Sequence, residues 1–438
     1  MKLGVISLGC DKATVDSERL VGTLVGHGAQ VVPHPAGADV VLVNTCGFID
    51  AAKRESIDAI LQATRLKRAG TVKVVVAVGC LVERYAGELQ REIPEVDLLL
   101  GFGDLHRLVP ELAARGLLAD PVEGHPGARH FLGTGPHVRY LKISEGCDHT
   151  CAFCAIPLMR GRHRSEPLQR LVLEARHLEA EGARELNLVA QDLGHWGRDL
   201  GLGGPRLPEL LQALLQETGV PWFRLLYVYS AGLTGALLDL MAREPRIVPY
   251  IDLPIQHASD RMLERMRRPE RRHTIRDKVA ALRQAVPDIA VRSTAMVGFP
   301  GETDDDFRAL CDFVEEIGFE RLAVFAYSPQ EGTRAAEYAD DVPEGLKRER
   351  VEELEELQRA IGEERLSRFV GRTVDVLVDS VAEPDRVGAT HVGRVWWQAD
   401  DVDGVTYLER GGWHQPGDFA RATITACQDY DFRCVASV

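Results

Sequence analysis

Short apolar runs of strand length alternate with amphipathic stretches twice over in this chain, and few folds accept that rhythm. In the first hundred residues the runs lie at 3–8, 40–43, 72–78 and 96–100, and helical apolar spacing marks 17–26, 55–66 and 105–115. The pattern predicts an α/β domain, a doubly wound parallel sheet with helices on both faces. In such sheets ligands gather beyond the carboxyl ends of the strands. Prolines and glycines between Pro121 and Pro136 then break the rhythm, so residues 120–137 read as a linker.

A second series follows. Strand-like runs at 138–144, 185–190, 223–229, 250–254, 289–297 and 322–327 alternate with helical patterns such as 168–181, 207–218 and 304–317. Six such units suit a partial (β/α)6 barrel. A charged helix is expected over 345–370, with Val351, Leu354, Leu357, Ile361 and Leu366 near one face. The last segment has only short strand-like runs, at 373–381, 391–396, 405–408, 421–425 and 432–435, which suggest a small all-β barrel. The expected domains are therefore 1–119, 138–344 and 371–438, joined by the linker and the helix.

Apolar residues make up 45% of the 438 residues and charged residues 27%, ordinary values for a soluble multi-domain protein. No uninterrupted apolar stretch is long enough for a transmembrane helix. Met1-Lys2-Leu3-Gly4-Val5-Ile6-Ser7 reads as a strand, not a signal peptide. The formal charge of −14 makes the chain as a whole a poor polyanion binder. Nine cysteines without an export signal point to the reducing cytoplasm, where they serve as metal or cluster ligands more often than as disulfides.

Six of the nine cysteines fall into two patterns. Cys147, Cys151 and Cys154 form CxxxCxxC on a loop after the first expected barrel strand. Three soft thiolates so close together can hold three corners of an iron–sulfur cluster, leaving one position open for chemistry. A zinc site with a distant fourth ligand, or free thiols, are the bland alternatives. Cys10, Cys46 and Cys80 are far apart in sequence, yet each follows a run expected to be a parallel strand. Strand ends share one edge of the sheet, so these three converge on a candidate metal or cluster site, with core packing as the alternative. Cys311, Cys427 and Cys434 share no pattern and read as structural thiols.

These residues carry a resemblance. CxxxCxxC with Phe153 before its last cysteine resembles the radical S-adenosylmethionine (SAM) superfamily. Ser7-Leu8-Gly9-Cys10, Asn44-Thr45-Cys46-Gly47-Phe48-Ile49 and Val78-Gly79-Cys80-Leu81 resemble the amino-terminal domain of the methylthiotransferases. The likeness spans nearly the whole chain: that domain, a radical SAM barrel and a carboxyl-terminal TRAM domain. Ser144-Glu145-Gly146-Cys147, Gly298-Phe299-Pro300-Gly301-Glu302-Thr303 and Tyr327-Ser328-Pro329-Gln330-Glu331-Gly332-Thr333 resemble the branch that modifies an aspartate of small-subunit ribosomal protein S-twelve.

The resemblance implies two 4Fe–4S clusters, one on Cys147, Cys151 and Cys154 and an auxiliary one on Cys10, Cys46 and Cys80. It implies SAM as radical source and methyl donor, a hydrogen taken from the aspartate β-carbon, and 3-methylthioaspartate as product. A sulfur donor and a reductant are required. Phe153, Gln191 and Arg292 are candidate SAM contacts, the last through the SAM carboxylate. The chain departs from the family pattern at Asp11-Lys12-Ala13, where Pro-Lys-Asn is usual. Leu193 replaces a threonine, and Gln398-Ala399-Asp400-Asp401 replaces Asp-Ala-Pro-Glu.

The rival branch acts on an adenosine of transfer RNA. A non-enzymatic RNA-binding module with structural clusters is the alternative of another class. Residues 371–438 carry a net charge of −5, unlike a domain that grips RNA. This expectation makes Asp400, Asp401 and Asp403, with Trp396, Trp397 and Trp413, a docking face for a basic protein, and nucleic acid not the substrate.

Overall fold

The structure is a computed structural model that describes residues 1–118, 129–133, 135–383, 388–410 and 412–437. Its first sheet is parallel and five-stranded: β1 (Lys2–Ser7), β2 (Gln30–Val32), β3 (Val40–Thr45), β4 (Val74–Gly79) and β5 (Leu98–Leu100), in the order β2-β1-β3-β4-β5. Strands β3 and β4 are buried throughout, as central strands covered on both faces should be. Two elements go beyond the sequence expectation. Strand β2 is a short edge strand with no fully buried residue, so it leaves no apolar run to read. Helix Cys80–Glu92 has only Cys80, Leu81, Val82 and Leu89 buried and kinks at Tyr85, which blurs its apolar stripe.

The central sheet is also parallel. Its chain-order strands are β6 (Val138–Lys142), a short antiparallel pair β7 (Ser144–Glu145) and β8 (Arg164–Ser165), then β9 (Glu185–Val189), β10 (Trp222–Leu225), β11 (Ile247–Asp252), β12 (Ala290–Val297) and β13 (Arg321–Ala326). The six long strands follow the order β6-β9-β10-β11-β12-β13, the expected partial barrel. Residues alternate between its faces. Leu186, Leu188, Phe223, Leu225, Ile251 and Val291 meet the surrounding helices in one core. Val189, Trp222, Leu226, Val248, Tyr250 and Ala290 share a second core with the carboxyl-terminal segment.

That segment follows helix Glu344–Ser367 and closes into a barrel of β14 (Thr373–Val381), β15 (Ala389–Arg394), β16 (Thr406–Glu409), β17 (Phe419–Gln428) and β18 (Asp431–Ala436), ordered β14-β15-β16-β18-β17. It packs into the face of the central sheet opposite the helices, and buried ions join the two. Glu185 on β9 accepts from Arg224 Nε at 2.6 Å and from Arg394 Nη1 of the small barrel at 2.7 Å. Asp403 accepts from the Tyr250 hydroxyl at 2.6 Å and lies 3.3 Å from Arg292 Nε.

The expected acidic docking face therefore needs correction. Asp403 is only 1% exposed and belongs to the joint between domains, while Asp400 is half-buried. Trp397 is buried against Phe369, 3.9 Å between ring centroids, and Trp413 is the one of the three tryptophans on the surface. Net charge counted the acids without telling which face held them.

Residues 120–128 and 134 of the expected linker, and residue 119 before it, lie outside the described residues. Of the rest, Arg129 is buried, pairs with Glu18 of helix Asp11–Gly26 and with Glu174 at 3.0 Å, and donates to the Tyr140 carbonyl at 2.7 Å. It pins the first domain to the central sheet. Among the described residues, no helix is long and apolar enough to cross a membrane.

Candidate functional site

Cys10, Cys46 and Cys80 each sit where a strand of the first sheet turns toward a helix. Cys10 is the N-cap of helix Asp11–Gly26, and Cys80 opens helix Cys80–Glu92. Gly79, at φ 97°, makes the turn before Cys80, and a Cβ there would strike Asn44 Oδ1. Asn44 is itself held by Nδ2 bonds to the Ala13 carbonyl at 2.9 Å and Ser17 Oγ at 2.8 Å. Ser56 Oγ accepts from the Cys46 amide at 2.8 Å and donates to its carbonyl at 3.0 Å. The three thiols lie within electrostatic reach of one another: burial pushes Cys46 up and Cys80 to about 11, with Cys10 adding to both and Cys46 to Cys80.

The loop with Cys147, Cys151 and Cys154 leaves the carboxyl end of β6 through β7. Gly146, at φ 75°, starts it where a Cβ would run into the Arg162 carbonyl. The loop is anchored by Cys147 N to Gly161 O at 3.1 Å and Ala152 N to Met266 O at 2.9 Å. Burial raises Cys147 to about 11 and Cys154 to about 12, with the neighbouring cysteine charges adding to both. Arg268, 3% exposed, donates from Nη1 toward Cys151 Sγ at 3.9 Å. His149 gives its Nε2 to Asp192 at 2.8 Å and stacks between His195 and Tyr229, at 4.4 and 4.3 Å between centroids.

This donor set suits an iron–sulfur cluster. Three thiols converge, and the histidine inside the loop is committed to Asp192. A cationic side chain lies within reach of one sulfur, as suits an anionic thiolate centre.

One residue ties the two triads together. Arg160 ends helix Ile156–Arg160, which starts two residues after Cys154. It is buried and bonds Asp16 of the first domain at 2.8 Å and Glu145 at 3.1 Å. Cys80 and Cys10 lie close enough to help raise its pKa. Lys142 joins the same network through Asp16 and through Glu145 at 2.8 Å. These two cations outweigh burial and hold Glu145 at about 2.

A cavity of about 550 Å³ opens beside the first triad, bounded by Cys10 and Asp11 of the first domain, Tyr227 and Arg292 of the central sheet, and Asp400 and Asp401 of the small barrel. Lys12 caps the Tyr227 ring at 3.4 Å from its centroid, and the Tyr227 hydroxyl donates to Asp11 at 3.3 Å. Tyr227 is held at φ 65°, a strained conformation for a bulky residue.

The three expected SAM contacts do not share this surroundings. Arg292 lines the cavity but already faces Asp252 at 3.4 Å and Asp403 at 3.3 Å. Gln191 donates to Glu145 at 3.3 Å and keeps a buried Oε1 without a partner among the described residues. Phe153 packs against Ala152, Met262, Met266 and Phe299. Arg160, Arg268 and Tyr229 were not anticipated as site residues, because nothing local marks a buried arginine or tyrosine that reaches across domains.

Burial, with Asp401, Glu185 and Asp379 nearby, pushes the Asp400 carboxyl up to about 6 against the pull of Arg394. A carboxyl raised on folding binds its proton more tightly in the folded state, so stability falls as pH rises through about 4 to 6. Asp400→Asn should therefore stabilise the chain at pH 8 by about 1–2 kcal/mol and give no gain at pH 4. Urea unfolding at the two pH values checks this.

The model described as Uncharacterized protein family UPF0004 matches residues 2–101, the Radical SAM superfamily model residues 141–314, and the TRAM domain model residues 370–436. The chain is 46% identical over 432 residues to the ribosomal protein uS12 methylthiotransferase RimO of an Anaeromyxobacter species, covering 97% of this chain and 91% of that one. It is 43% identical over 438 residues to RimO of Geobacter sulfurreducens, covering 98% and 97%. Among solved structures, the radical SAM methyltransferase TsrM of Kitasatospora setae matches with a TM-score of 0.56 at 15% identity, over 74% of this chain and 72% of that one, a likeness of fold alone. With identity this high over almost its full length, the chain belongs to the RimO family of ribosomal protein uS12 methylthiotransferases, radical SAM enzymes that carry a TRAM domain.

Proposed function

We propose that this chain methylthiolates ribosomal protein uS12 at the β-carbon of an aspartate, giving 3-methylthioaspartate. Cys147, Cys151 and Cys154 hold a 4Fe–4S cluster that binds SAM, and Cys10, Cys46 and Cys80 hold a second one. The observation that carries the reading is that one buried ion network, Asp16–Arg160–Glu145–Lys142, links the two triads: Arg160 ends the helix that follows Cys154 and feels the charges of Cys80 and Cys10. Bound there, the two clusters and SAM supply one-electron chemistry for an unactivated C–H bond and the sulfur that replaces the hydrogen. Arg160 and Lys142 fix the separation of the two sites, Arg268 offers an N–H to the Cys151 sulfur, and the packing around Phe153 keeps water from that loop. Gln191, with its free acceptor, and Phe153 keep their place as SAM contacts in this reading. Arg292 keeps its place too, oriented by Asp252 and Asp403.

The acidic balance of the chain, −14, suits a basic ribosomal protein better than a nucleic acid. A reductant and a sulfur donor are required, and the reaction belongs in the cytoplasm, where its substrate is made. Mass spectrometry of uS12 and transfer RNA from cells lacking the gene tests the reading. The aspartate of uS12 should lose its methylthio group, and a copy of the gene should restore it. An unchanged uS12 together with loss of a methylthiolated adenosine would overturn it.

A further inference from the structure

Asn187 lies on β9, in register with Tyr140 of β6 and Arg224 of β10. It is 1% exposed and lines the 550 Å³ cavity beside Cys10. Neither its Oδ1 nor its Nδ2 has a hydrogen-bond partner among the described residues. A buried carboxamide with both ends unpaired is rare in a native core, since each unmade bond costs stability. Of its neighbours, Arg224 bonds Glu185 through Nε and the Trp396 carbonyl through Nη1, its Nη2 having no partner among the described residues, and Arg292 faces Asp252 and Asp403. Leu186 and Leu188, on either side of Asn187 in the strand, point into the helix-side core, so the carboxamide faces the cavity.

We propose that Asn187 is a substrate-contacting residue, whose carboxamide pairs with a backbone peptide group of the protein segment that enters this cavity. The inference rests on the proposed function and deepens it. A carboxamide offers one acceptor and two N–H donors, which match the C=O and N–H of a peptide. The cavity is of the size that takes a few residues. Its sulfur-bearing wall is Cys10, of the triad expected to present sulfur, which suits the acceptor of that sulfur. Asp11, Asp400 and Asp401 on its rim repel phosphate and favour a segment with a cationic side chain beside the target residue.

The test uses the full-length chain, anaerobically reconstituted, with fluorescently labelled ribosomal protein uS12 as probe. Asn187→Leu should bind uS12 at least tenfold more weakly than wild type, bind SAM as wild type does, and melt at a higher temperature, because two unpaired polar atoms leave the core. Asn187→Ala gives the same binding comparison if the leucine is not accommodated. Equal uS12 affinity in wild type and variant overturns the inference, as does a variant that loses SAM and keeps uS12. A lower melting temperature with unchanged uS12 affinity makes Asn187 structural and also overturns it. Wild type that binds transfer RNA in place of uS12 defeats the underlying reading instead, so the two failures are told apart.

Discussion

Reconstituted without oxygen, the chain is expected to hold about eight iron atoms, four on each cysteine triad. Alanine at Cys147, Cys151 and Cys154 together should halve the iron and take SAM cleavage below detection. Alanine at Cys10, Cys46 and Cys80 should also halve it, but leave 5′-deoxyadenosine formation within a few-fold of wild type while uS12 gains no sulfur. The contrast follows from the structure. Cys154 responds to Cys147 and Cys151, and Cys147 to Cys151, whereas Cys46 and Cys80 respond to Cys10 on a different sheet. Each trio can be lost while the loop or strand ends of the other keep their hydrogen bonds. Full iron in the second triple variant would mean that Cys10, Cys46 and Cys80 hold no cluster.

Removing the chain from Gly371 onward is expected to destabilise the whole protein, not merely to weaken substrate docking. The cut strips the small barrel from Val189, Trp222, Leu226, Val248, Tyr250 and Ala290, which share its core. It takes away Arg394 from Glu185 and Asp403 from Arg292 and Arg321, leaving buried charges short of partners. One such loss costs about 3–5 kcal/mol, and two approach the stability of an ordinary domain. Calorimetry and solubility of the truncated chain check this. A soluble truncation that melts like the full chain would show that the two bodies are independent.

The sequence made much of this legible and some of it not. The long strands announced themselves because β3 and β4 are buried on both faces and read as unbroken apolar runs. The cysteines were legible because each follows such a run, and strand ends of a parallel sheet lie together. Strand β2, short and at the edge, carried no such mark. Position in space was the harder matter. Asp403 and Trp397 read as surface residues in an acidic stretch, yet they are buried where the small barrel meets the central sheet. Asn187 was invisible for the same reason. A single asparagine in an apolar strand says nothing until the strands around it show that no partner reaches it.

Arg160 makes the segment from Cys154 to the end of its short helix a molecular ruler. Its guanidinium is bound to Asp16, six residues past Cys10, so the spacing of the two sulfur-rich centres is set before any substrate arrives. Preset alignment of reacting partners removes an entropic cost that would otherwise fall on the reaction itself. The ruler is also brittle. One residue inserted before Arg160 would swing its side chain about 100° around the helix, away from both carboxylates. The chain can therefore vary its outer helices far more freely than it can vary the length between Cys154 and Arg160.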